Sequence, residues 1–136
     1  MLELSDDSRI IAGIVLLTVV AVEFGGTFLL KIVRGQVPMT DFQKSFARAG
    51  HAHAGMLVTL SLVCLILADA TGLTGVAAWI ARVGVPAAAI LMSAGFFLSS
   101  AGREVTRPNG LIALLWIGAA SLAAGVLTLG VGLLTA

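Results

Sequence analysis

Few side chains in this sequence can do chemistry, and those that can stand in apolar surroundings. Glu23 lies within the first strongly apolar run, Ile10 to Val33, where the nearest other charges are Arg9 and Lys31. A charged group near a bilayer centre costs at least about 2.5 kcal/mol, so this carboxyl must be neutralised, paired or hydrated. Two imidazoles follow in the next apolar run, in the stretch Arg48-Ala-Gly-His51-Ala-His53-Ala-Gly55. A glutamate within reach of a histidine or an arginine is the minimum equipment of a proton relay or a proton-coupled carrier.

The same groups admit a second chemistry. One carboxylate and one or two imidazoles suit zinc or a similar ion, with Glu23, His51 and His53 as the ligand set. A catalytic zinc site ordinarily takes three protein ligands, so Glu23 and His51 are one short unless His53 or a second chain supplies the third. Haem held by two histidines would need a dimer or both residues of the His-Ala-His run, which face apart on a regular helix. No cofactor is expected, and a metal ion is the alternative. The sequence contains no Ser-His-Asp order, no glycine-rich phosphate loop and no paired cysteine motif.

The elements that position these groups read as membrane helices. Four segments reach the roughly 20 apolar residues needed to cross about 30 Å of hydrocarbon: about 10–33, 48–68, 83–101 and 111–135. Between the first two lies the polar loop 34–47, in which Thr40-Asp41-Phe42-Gln43 has the form of a capping box and predicts that the second helix starts before the membrane. Residues 72–82, with Trp79 beside Arg82, read as an interfacial connection. Pro86 is expected at a first turn or at a kink. Gly118, Ser121, Gly125, Thr128 and Gly132 form a stripe of small residues on the fourth helix, suited to close helix approach, first of all within the chain.

At 1.5 Å per residue, Glu23 and His53 lie at similar depth, each about 20 Å from the outer end of its helix, with His51 and Arg48 somewhat nearer the inner side. Ser99, Ser100 and Trp116 fall in the same layer. Helical angles put Arg48, His51, Gly55 and Thr59 on one face of the second helix and His53 with Phe46, Leu57, Leu60 and Cys64 on another. His51 is therefore the expected partner of Glu23, with a ring nitrogen within about 2.7 to 5 Å of the carboxylate. His53 is expected to pack.

Composition supports a membrane protein and excludes other classes. The chain has 136 residues, 59% of them hydrophobic and 11% charged, and a mean hydropathy of +1.08. An average soluble domain is about 45–50% apolar and about 25% charged. The net charge of +1 predicts no nucleic-acid partner. The acidic start, Met-Leu-Glu-Leu-Ser-Asp-Asp, and the length of the apolar run after it argue for a retained helix and against a cleaved signal. Lys31, Arg34, Lys44, Arg48, Arg103 and Arg107 fall on one side, and Arg9 and Arg82 on the other. The positive-inside rule then puts both termini outside. Cys64 reads as a small buried hydrophobe.

The stretch Val22-Glu-Phe-Gly-Gly-Thr-Phe-Leu-Leu-Lys-Ile-Val-Arg-Gly35 resembles the first helix of small multidrug resistance transporters, which carry a Glu-x-x-Gly-Thr-x-Leu-x-Lys pattern in a four-helix chain of similar size. That resemblance implies a homodimer in which Glu23 is the shared proton and cation site, with Gly26 and Thr27 supporting helix packing. The motif Asp41-Phe-Gln-Lys-Ser-Phe followed by Arg48-Ala-Gly-His-Ala-His-Ala-Gly resembles one found in bacterial four-helix membrane proteins. The resulting expectation is an all-α bundle of four transmembrane helices in a bacterial inner membrane. It is a homo-oligomeric, proton-coupled carrier of a small cationic or polar molecule, using Glu23, His51, Arg48, Thr27 and Trp116. The other expectations are an intramembrane metal-binding protein or enzyme, and an accessory subunit of a membrane complex.

Overall fold

A computed structural model describes residues 3–136. The chain folds into α1 (Asp6–Val33), α2 (Asp41–Ala68), α3 (Gly75–Ser99) and α4 (Ala113–Leu134), the last begun by a short 3-10 turn at Gly110–Ile112. All four helices are long and apolar enough to cross a membrane, and the described residues form no strand. The protein is thus a multi-pass, all-α membrane bundle of four helices. Its surface is studded with large apolar side chains, among them Leu17, Phe24, Ile90 and Leu134. Its interior combines a few large side chains, Leu57, Leu65 and Val85, with many small ones, such as Ala81, Gly84, Ala88 and Gly95. That inversion suits lipid, where apolar burial between helices gains little and close backbone approach gains dispersion and packing.

Local chemistry fixes the helix ends. Gly35, with φ +70, closes α1 in a Schellman turn, its N–H donating to Ile32 O and that of Gln36 to Lys31 O. The capping box at Thr40 and Gln43 is formed on both sides, so α2 starts at Asp41, well before residue 48. Gln43 does a second job. Its buried amide donates to Ser100 O at 3.0 Å and Gly102 O at 2.9 Å, and Thr40 Oγ1 donates to Val105 O. The α3–α4 connection is thereby pegged to the head of α2. Asn109 then receives the N–H of Leu111 at 2.8 Å and opens the fourth span.

The third helix differs from the expected one. It begins at Gly75, not near Val83, and what read as an interfacial connection is its first two turns; Pro86 sits well inside it. The cause is the neutralisation of Arg82. Its guanidinium donates to Asp69 Oδ1 at 2.8 Å and to Ser8 Oγ at 3.1 Å. Asp69 also accepts from Ser5 N at 2.8 Å and from the hydroxyls of Ser5 and Ser8. With its charge satisfied, Arg82 no longer marks a membrane edge, and the helix runs through it.

This clamp ties α1, the end of α2 and α3 together, and its side chains are nearly buried, 14% exposed for Arg82 and 5% for Asp69. Burial pushes the Asp69 carboxyl up, but the hydrogen bonds from Arg82, Ser5 and Ser8 outweigh it and hold it below its ordinary value. A depressed carboxyl contributes stability that is complete above its unfolded pKa, about 3.8, and lost as pH falls through the lower folded value. Asp69→Ala is expected to cost about 3 kcal/mol at neutral pH, because it strands a largely buried guanidinium. Denaturation in detergent at stepped pH checks this. The wild-type protein should lose stability below about pH 4, and the variant should show no such loss.

The small stripe on α4 is used inside the chain. Gly125 lies against the backbone of Gly84, Gly118 against Met92, and Gly132 against Leu73, while Ser121 Oγ donates to Gly84 O at 2.8 Å. The heaviest packing is between α3 and α4, then α2 and α3, then α1 and α2. On α1 the buried or half-buried positions follow Ser8, Ile11, Val15, Thr18, Val22, Gly25, Leu29 and Ile32, a repeat of alternating three and four. This narrow seam faces α2. Apart from the half-buried Ala12 and Gly26 beside the seam, the rest of α1 is uncovered.

Candidate functional site

The seam sets the register between α1 and α2. Ser8 meets Asp69 at one end. Eighteen residues on, about 27 Å of helix, Gly26 meets His51, which lies eighteen residues before Asp69. The His51 ring is seated on two glycines. A Cβ at Gly25 would stand 3.4 Å from its Nδ1, and one at Gly26 would stand 3.5 Å from its Cε1. Larger residues there would displace the imidazole. The ring makes no hydrogen bond within the described residues.

Beside this contact, a cleft of about 230 Å³ lies between α1 and α3 with α2 as its floor. His51 and Val58 line it from α2, Val22 and Gly25 from α1, and Pro86 and Ser93 from α3. Its α3 rim, Ile90 and Phe97, is exposed on the outer surface of the bundle, so the mouth opens sideways toward lipid. Thr18, Ser61, Ser100 and Ser121 each donate to a backbone carbonyl. Ser93 Oγ does not, and it is the one buried side-chain oxygen or nitrogen without a partner among the described residues. The cleft thus carries an unengaged imidazole and an unengaged hydroxyl on otherwise apolar walls. A site of this kind binds a small apolar body and orients it by a few polar contacts.

Glu23 stands elsewhere. It follows Val22, a seam residue, and the step of about 100° turns it out of the α1–α2 contact, so it is exposed on the bare side of α1 near Val20, Thr27 and Leu30. It forms neither a hydrogen bond nor an ion pair with His51 or Arg48 in the single chain. The expected direct pairing of Glu23 with His51 is therefore not made within one chain: the imidazole contacts the turn after Glu23, on another flank of the helix. Thr27 shares the outer face and donates to Phe24 O at 2.7 Å. Arg48 is exposed near the N-terminal end of α2, outside the cleft. Trp116, 69% exposed, points away from the bundle. The α2 residues lining the cleft are His51, Ala54 and Val58, so the cavity face is rotated from the expected Arg48, His51, Gly55 and Thr59.

His53 packs. Its Nδ1 lies 2.7 Å from Ala49 O, and since a carbonyl can only accept, Nδ1 carries the proton. Its ring stacks on Phe96 at 4.9 Å between centroids, and Phe96 in turn meets Phe46 at 5.4 Å. Glu23, His51 and His53 therefore point three ways, and among the described residues no three His, Cys, Asp or Glu side chains gather as a metal site. Sequence reasoning missed Ser93 and the clamp at Asp69. The opposite charges of Asp69 and Arg82, flanking one short connection, were the available signal for the clamp. Ser93 carried none.

These features define a small multi-pass membrane protein with a lateral cleft and an outward intramembrane carboxyl. Comparison with protein families, with curated proteins and with solved structures returns no match.

Proposed function

We propose that this protein is a small proton-coupled membrane carrier that works as a homo-oligomer. Glu23 alternately holds a proton and a small cationic or polar molecule, and His51 tunes it through the shared helix α1. One observation carries the reading: Glu23 is exposed on the bare face of α1, about 12 Å of helix inside Lys31. Lipid cannot solvate a carboxylate there, so the residue is retained against a cost. A second copy of the chain would cover it, and protons or cations would discharge it. The resemblance of Val22 to Gly35 to small multidrug resistance transporters points the same way.

The basic residues support an orientation with both termini outside. Arg9 pairs with Asp6 at 2.7 Å and Arg82 with Asp69, so both cations of the outer end are neutralised. Of the six at the inner end, only Lys44 has an acidic partner among the described residues. Cysteines introduced at Gln36 and Gly72 should react with an impermeant maleimide from the cytoplasm and from outside, respectively. The reverse pattern sinks this orientation.

The function is tested on purified protein in proteoliposomes enclosing a pH-sensitive dye. Adding small organic cations outside should drive protons out of protein-containing vesicles and not out of empty ones. No cation-dependent proton movement across a broad panel, together with copurification of fixed partner proteins, would replace the carrier reading by an accessory subunit.

A further inference from the structure

At the inner end, the C-terminus of α1, the following loop and the first turns of α2 enclose a groove of about 370 Å³. Two cations line it, Lys44 and Arg48, over an apolar bed that includes Ile32, Val33, Val37 and Met39. Its charge is unbalanced. Lys44 reaches Asp41 at 3.2 Å, but that carboxylate is fully in solvent, and Arg48 has no acidic partner among the described residues. Lys31 and Arg34 stand at the same height on α1 and add to the positive field. By the register of the two helices Arg48 lies level with Leu29, about half a turn inside Lys31, where a bare guanidinium faces the boundary between hydrocarbon and headgroups.

We infer that this groove is a binding site for an anionic phospholipid. Its phosphate sits between Lys44 and Arg48 against Val33, Val37 and Met39, and its acyl chains run from there into the bilayer. The match is one of charge and of layering. Arginine and lysine complement phosphate oxygens, Arg48 stands at the hydrocarbon edge by the helix register, and basic pockets between transmembrane helices on the cytoplasmic side bind acidic headgroups. The site is independent of the carrier reading, since it uses neither Glu23 nor the cleft.

The test titrates delipidated, detergent-purified protein with phosphatidylglycerol, phosphatidylcholine, or inorganic phosphate, reading thermal stability and, by native mass spectrometry, retained lipid. Phosphatidylglycerol should bind saturably and raise the unfolding temperature, and the other two should not. Lys44→Gln and Arg48→Gln should each weaken phosphatidylglycerol binding about fivefold, and together about thirtyfold. Arg103→Gln and Arg107→Gln, on the same side of the membrane but outside the groove, should leave it unchanged. Equal protection by phosphatidylcholine, protection by inorganic phosphate alone, or equal losses from the Arg103 and Arg107 variants would each overturn the assignment. If Arg48→Gln unfolds without lipid, Lys44→Gln carries the test, since Lys44 is more exposed to solvent than the packed face of α2 and holds only a surface ion pair.

Discussion

Glu23→Gln should abolish cation-driven proton movement in proteoliposomes, reducing it to the level of empty vesicles, while the protein remains folded. Glutamine keeps the size and the hydrogen bonding of the protonated acid and removes only the ability to lose the proton. The fold has no stake in the carboxylate, because Glu23 makes no hydrogen bond and no ion pair in the chain and lies outside the α1–α2 seam. Glu23→Leu sharpens the point. Relieved of an intramembrane carboxyl, the isolated chain should be as stable as the wild type or more so, by up to about 2.5 kcal/mol if the carboxylate is charged. It should be equally inactive. If instead either variant retained full flux, or if leucine destabilised the protein strongly, the carboxyl would be a structural contact and the carrier reading would fail.

Gly84→Val should be among the most damaging small substitutions in the bundle. A Cβ at that position would stand 2.6 Å from Gly125 Cα and 2.9 Å from Ser121 O. Both are backbone atoms that cannot turn aside. Overpacking of this kind costs about 1–3 kcal/mol and occasionally more, and here it also threatens the hydrogen bond of Ser121 to Gly84 O. Gly130→Ala, in the same helix pair, meets nothing within 4 Å. It should be neutral or should add up to about 1 kcal/mol through helix propensity. Unfolding in mixed detergent micelles separates the two. Similar stabilities for both variants would show that the α3–α4 contact is looser than described.

Much of the architecture could be read from residue order alone, because spans, caps and small-residue stripes leave local signatures. Thr40 and Gln43 announce the head of α2 within four residues, and the stripe from Gly118 to Gly132 announces a close helix contact. Arg82 misled for a physical reason. A lone cation reads as a membrane edge, and only its pairing with Asp69 and Ser8 across three elements lets a helix continue past it. The site was harder. In a soluble protein, polarity marks the outer face of a helix, but on α1 both faces are apolar, and only the three-four repeat through Val15, Val22 and Gly25 distinguishes the packed side from the bare one. Helical angles placed His51 and His53 on different flanks of α2. They could not say which flank of α1 would meet His51, since that depends on a register fixed 27 Å away by the clamp.

The clamp also bears on how the chain assembles. Every major helix contact joins neighbours in sequence, so each span finds its partner as soon as it leaves the translocation machinery, and short-range topologies of this kind fold fast. The bonds among Ser5, Ser8, Asp69 and Arg82 reach furthest, across up to 74 positions. Ser5 and Ser8 can reach Asp69 once α2 has been made, but the clamp cannot close in full until α3 follows. Until then Asp69 has no cation to meet, and α1 is held by its thin seam on α2 and by those serine bonds. Arrival of Arg82 is thus the event that commits the first three helices to one arrangement, and nascent chains cut before that residue should remain open to rearrangement that longer ones resist.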